Sequence, residues 1–334
     1  MKITRDLLLS SAKSAVRTRV FTDKDLLAVY LTGSLLEGDG LLGGAADIDL
    51  VFIHALDAPI PREVVRLGDD FHLDIAHYPQ SLFATPRRLR TDAWIGSFLC
   101  NGPLLLYDTN HWFEFTQSGV FSQFFQPANV MARARPFSDS ARQRWMQLTA
   151  EPPEHWPDFM LAYIRAVMEC GNALACLSGT PLPERRFLLE LPARCQKLGV
   201  PALAGEIAAL FLPAGEDEPA WLDSLDIWRG AMLQASARSD CPPELQACRL
   251  PYYEKAIVGV KDESPAAALW IMLWTYTQAV ALFAQRDPLV KPFRDFCELL
   301  GLEKAASGER LNALDGLLDR LDDFLNSWSV SNGL

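Results

Sequence analysis

The spacing of apolar and polar positions changes character partway along the chain. Thr4 to Val20 repeats its apolar residues at helical intervals, which predicts an opening amphipathic helix. Leu26 to Thr32 is a short β-rich run that stops at Gly33-Ser34. Asp47 to His54 and His72 to Tyr78 predict two further strands, and Leu104 to Tyr107, after the turn Asn101-Gly102-Pro103, a fourth. Between the last two lies Ser81 to Cys100, a helical stretch that carries Arg87, Arg88 and Arg90. From about Gln126 onward strand signals vanish. Amphipathic helices follow, separated by breaks at Pro152-Pro153, Gly179-Thr180-Pro181, Pro242-Pro243 and Asp287-Pro288. The pattern predicts a head that mixes helix and strand over residues 1–125 and an all-helical domain over residues 126–334. No internal repeat and no low-complexity run interrupts it.

Composition narrows the partners. The 334 residues carry a net charge of −11, which argues against a basic groove for long nucleic acid and favours a small-molecule or protein partner. The seven cysteines form no C-x-x-C pair, so they suggest neither a zinc site nor a disulfide framework and fit reduced thiols in the cytoplasm. The five histidines lack metal-ligand spacing, and His77, close after Asp74, reads as structural. The N-terminus reads as an amphipathic helix rather than an export signal. Ala266 to Ala284 is apolar enough to raise a membrane question. Its central Thr275-Tyr276-Thr277-Gln278 and its lack of a biased basic flank favour a buried central helix. A homodimer is compatible with the sequence.

Candidate chemistry concentrates in three carboxylates. Side chains alternate along a strand, so Asp47 and Asp49 face one way while Ile48 and Leu50 face the core. With the strand that carries Asp74 beside them, three negative charges converge. Such a group destabilises a fold unless a cation neutralises it. Hard oxygen ligands suit magnesium, which usually completes its shell with waters and phosphates.

Gly33-Ser34, then Asp47-x-Asp49, then a lone Asp74 in an apolar strand resembles the signature of the nucleotidyltransferases related to DNA polymerase beta, over roughly Leu26 to Ala76. A head followed by helices is also similar to the aminoglycoside nucleotidyltransferases. The resemblance implies an α+β fold, with a mixed β-sheet and flanking helices followed by an all-helical, acceptor-binding domain. It implies transfer of a nucleoside monophosphate, AMP from ATP, to a hydroxyl of an aminoglycoside-like small molecule. Two magnesium ions would be held by Asp47, Asp49 and Asp74, with Asp74 also near the acceptor hydroxyl. Gly33 and Ser34 would meet the phosphates.

The chain departs from that family in three ways. The loop from Leu35 to Ala46 holds Glu37 and Asp39 but no Lys or Arg, it is somewhat long, and Ala46 stands where a hydroxyl residue is common. The positive charge for a triphosphate must then come from elsewhere. Arg87 and Arg88 are the first candidates, with Arg90, Arg185, Arg186 and Lys255 behind them. Glu169 is a candidate contact for a cationic acceptor, and Trp94, Trp112, Trp270 and Trp274 could line a pocket, although at helical spacing such residues are more often core. Two rival readings remain: transfer to a protein or RNA hydroxyl, and a nucleotide-binding regulatory module without turnover.

Overall fold

Ala46–His54 is apolar on both faces over most of its length, the pattern of a strand covered on two sides. In the computed structural model, which describes residues 3–36, 40–212 and 220–334, that segment is the central strand of a five-stranded sheet. The strands are β1 (Leu26–Thr32), β2 (Ala46–His54), β3 (Arg62–Arg66), β4 (Phe71–Pro79) and β5 (Leu104–Asp108), in the order β3-β4-β2-β1-β5. β2 runs parallel to β4, and every other neighbouring pair is antiparallel, so the sheet is mixed. Among the described residues after Asp108, regular structure is entirely helical. The chain is therefore of the α+β class.

Each face of the sheet has its own cover. Val29, Leu31, Ile48, Leu50, Phe52 and Ile75 pack against Leu8, Ala12 and Val16 of the helix Arg5–Thr22. Tyr30, Val51 and Ile53 on the other face pack against Phe83, Leu89, Leu99, Phe113 and Phe124. A third cluster fills the helices that follow, with Ala45 from the loop before β2 joining it. Pro265–Ala281, which overlaps the apolar segment noted in the sequence, is a largely buried helix of that cluster. Among the described residues, Trp156–Ser178 is long and apolar enough to cross a membrane, and 72% of its apolar window is buried inside the fold.

Two expectations change. Arg62–Arg66 is a strand that the spacing did not predict, because a short half-exposed edge strand shows little alternation. The stretch from Ser81 to Cys100 is three short pieces, Gln80–Phe83, Pro86–Arg90 and Ile95–Cys100. Pro86 disfavours helix at the residue before it. The Asp92 carboxylate then accepts from the Trp94 and Ile95 N–H groups at 3.0 and 2.6 Å and starts a new helix.

The loop entering β2 is pinned to the helical part. Leu42 and Ala45 exchange backbone hydrogen bonds, and Arg185 Nη2 donates to both carbonyls, at 2.7 and 2.8 Å. Gly43, with φ +62°, lies against the Lys255 carbonyl of the helix Leu250–Val260, and a β-carbon there would run into that backbone. Gly44 has φ +83° and open space around it. Gly44→Ala should cost about 1 kcal/mol, the strain of a left-handed backbone alone. Gly43→Ala should cost about 1 to 3 kcal/mol more because the helix must shift. Urea melts of the two variants test this, and equal losses would mean that the loop does not bear on the helix.

Candidate active site

Alternation and register together build the site. Asp47 and Asp49 lie two apart on β2, and the parallel register pairs Asp49 with Asp74 and Asp47 with His72. One carboxylate oxygen from each of Asp47, Asp49 and Asp74 lies within 4.8 Å of the others. Asp47 is 9% exposed and Asp74 6%. Gly33, at the end of β1 with φ +80°, packs against the Asp49 carboxylate so closely that a β-carbon would collide with it. Ser34 follows in the half-buried turn that Leu36 N–H closes onto the Gly33 carbonyl. Glu37 and Asp39 of the same loop lie outside the described residues.

The groups that neutralise this cluster come mostly from far away in sequence. Arg62 of β3 grips Asp74 with two bonds, Nε to Oδ1 at 2.7 Å and Nη2 to Oδ2 at 2.6 Å. Its remaining nitrogen, Nη1, donates to Glu244. Arg249, at the start of the helix Leu250–Val260 and only 2% exposed, also donates to Asp74 Oδ2. Tyr252, on that helix, donates its hydroxyl to Asp47 Oδ2 at 2.6 Å. The Arg185 guanidinium stacks 3.7 Å over the Tyr252 ring, and the His72 ring meets its edge at 5.1 Å. Tyr253 donates to Glu184 at 2.8 Å and accepts from Arg249 Nη1 at 3.4 Å.

Charge follows from this packing. Burial acts to raise the Asp47 carboxyl, but His72, Arg249, Arg185 and the Tyr252 hydroxyl outweigh it and hold Asp47 below the usual range. Burial and then the Asp47 charge push Asp49 well above that range, against Arg249 and Arg62. The two carboxyls thus titrate as a coupled pair, Asp47 pushed down and Asp49 pushed up. Burial depresses His72 to about 4, so it is neutral at ordinary pH. Burial also raises the Tyr252 hydroxyl, which therefore stays a donor.

Other residues singled out in the sequence stand differently. Arg87 and Arg88 are exposed on the helix Pro86–Arg90, and neither contacts the three carboxylates. Arg90 bonds Gln123 and the Gly119 carbonyl, both at 2.6 Å. Arg186 pairs with Glu190 in the helix that follows it, and Lys255 pairs with Asp70 at 2.5 Å. Glu169 is bound by Arg144 and Ser140. Trp270 is wholly buried in the helical core, where Trp274 packs against it. Trp112 packs on Phe83, and Trp94 on Phe98.

Sequence reasoning missed Arg62, Arg249, Tyr252, Tyr253 and Glu184. The one available signal was Arg249-Leu250-Pro251-Tyr252-Tyr253, an arginine and two tyrosines astride a proline-marked helix start. The donor set, three carboxylates with hard oxygens within 4.8 Å of one another, fits a divalent cation such as magnesium.

No family model and no curated protein matches the chain. Among solved structures, a nucleotidyltransferase-like protein from Exiguobacterium sibiricum 255-15 is similar at 11% identity and a TM-score of 0.31. That alignment spans 98% of this chain and 92% of the other. A likeness at this level supports no inference about fold or activity.

The raised Asp49 carboxyl sets a pH dependence. A group whose folded pKa exceeds its unfolded value stabilises fully below the unfolded value, about 3.9 for Asp. That contribution is lost as pH climbs through the raised folded value. Asp49→Asn lacks this loss. In a metal chelator, its Tm should therefore gain on the wild type by about 1 to 3 °C as pH rises from about 4, the unfolded carboxyl's value, into the neutral range. A gap that stays constant or shrinks with pH would contradict the upward shift of the Asp49 carboxyl.

Proposed function

We propose that this protein is a metal-dependent nucleotidyltransferase that moves a nucleoside monophosphate, AMP from ATP, onto a hydroxyl of a small-molecule acceptor in the cytoplasm. The convergence of Asp47, Asp49 and Asp74 beside the Gly33 turn carries the reading. Asp47 and Asp49 point one way from one strand, and Asp74 stands directly across from Asp49, so the three could hold two cations together. Bound magnesium would supply charge neutralisation at the phosphoryl oxygens and at the leaving pyrophosphate. Asp74 would take the acceptor hydroxyl proton once its arginine partners have moved. Tyr252 fixes the Asp47 carboxylate through Oδ2 and leaves Oδ1 for a ligand. The missing side chain of Gly33 makes room for the Asp49 carboxylate, and Ser34 beside it offers a hydroxyl and an N–H to phosphate oxygens.

The acceptor is best sought among cations. Glu184 and Glu244 flank the carboxylates from the helical side, and the chain's −11 charge favours a polyamine or aminoglycoside-like molecule over an anion. All seven cysteines are unpaired, which suits a reducing compartment.

One observation favours a second reading. Both oxygens of Asp74 are held by guanidinium groups, an arrangement suited to a nucleotide-binding module that does not turn over. Incubating the purified protein with magnesium, each labelled triphosphate, an aminoglycoside panel and cell extract separates the two. The enzyme reading predicts a labelled adduct that Asp47→Asn or Asp49→Asn reduces about a thousandfold. Nucleotide binding of equal strength in wild type and variants, with no adduct from either, would replace it with the module.

A further inference from the structure

The loop before β2 brings no Lys or Arg to the carboxylates, so a triphosphate's charge must be met by other groups. Arg249 and Arg185 are 2% and 3% exposed, and the Nε of each is buried without a hydrogen-bond partner, as is Nε2 of His72. All three side chains touch or approach Tyr252, whose hydroxyl bonds Asp47. Arg62, one-third exposed, brings further positive charge to Asp74 and is tethered by Glu244. Buried guanidinium N–H groups without acceptors are costly, and those of Arg249 and Arg185 gather around the tyrosine that bonds Asp47.

We infer that Arg62 and Arg249 are the triphosphate-binding residues of this site, and that in the nucleotide-free chain they are parked on Asp74 in place of the cation that accompanies the nucleotide. The inference rests on the nucleotidyl-transfer reading and names the source of its positive charge. Cation and nucleotide enter together by an exchange of partners. The carboxylate gives up two guanidinium groups and gains a cation. The guanidinium groups give up one carboxylate and gain phosphate oxygens, whose geometry they match with paired N–H donors. At either end of the exchange each guanidinium keeps an anionic partner and Asp74 a cationic one. Glu244 keeps Arg62 near the site while its other nitrogens are free. The helix position of Arg249, three residues before Tyr252, ties the exchange to the part of the chain that also touches Asp47.

The exchange predicts effects of opposite sign on two ligands. Arg62→Gln and Arg249→Gln each remove a competitor for Asp74 and a partner for phosphate. Manganese affinity of the nucleotide-free protein, read by electron paramagnetic resonance, should rise about tenfold in each variant. At saturating magnesium, affinity for an ATP analogue with an α,β-methylene bridge should fall about tenfold or more. Arg249→Lys, which keeps the charge without the fork, should recover part of the nucleotide affinity and little of the manganese effect. Circular dichroism melts confirm folding, and the partly exposed Arg62 supplies the test should the buried Arg249 variant unfold. Wild-type affinities for both ligands in the variants would overturn the inference and leave nucleotidyl transfer standing. Absence of manganese and nucleotide binding from every protein, wild type included, would overturn the proposed function and this inference with it.

Discussion

Three carboxyl groups within 4.8 Å of one another, two of them under 10% exposed, cannot all ionise unless positive charge faces them. The fold answers this constraint in several ways at once. Burial and the Asp47 charge push the Asp49 carboxyl towards its neutral form, Asp47 takes a tyrosine hydroxyl, and Asp74 takes two arginines. Removing one partner of such a buried set generally costs far more than the set contributes in total, because the remaining charge is stranded. The arrangement is therefore poorly explained as a device for stability and well explained as a site awaiting a ligand whose charge can take over.

The same constraint joins the sheet to the helices. Arg249 and Tyr252 reach the carboxylates from the start of one helix, while Gly43 rests on the backbone of that helix one turn further on. Arg185 holds the loop carbonyls that set the entry into β2 and stacks on Tyr252 as well. Any movement of that helix changes the surroundings of Asp47 and Asp74 together. A ligand that draws Arg249 away from Asp74 would therefore be felt in the helical part, and an acceptor bound near Glu184 would be felt at the carboxylates.

What could be read from the sequence follows from the range of the interactions. The period of two along a strand was enough to put Asp47 and Asp49 on one side, and the lone acid in an apolar run marked Asp74. The parallel pairing that sets Asp74 opposite Asp49 needs both strands in place. The counter-charges were not legible in this way. Arg249 meets Asp74 across 175 positions of chain, and Arg62 sits on a five-residue edge strand with almost no pattern of its own. Arg87 and Arg88 were favoured for closeness in sequence to Asp74, whereas their short helix leaves them exposed and out of contact with it. Local spacing located the acids, and tertiary packing alone could choose their partners.

The most direct measurement is anomalous diffraction from crystals of the protein grown with manganese and the methylene-bridged ATP analogue. The account predicts manganese signal between Asp47, Asp49 and Asp74, with Arg62 and Arg249 turned from Asp74 onto phosphate oxygens. Nucleotide bound elsewhere, with Asp74 still gripped by both arginines and no manganese at the carboxylates, would contradict it.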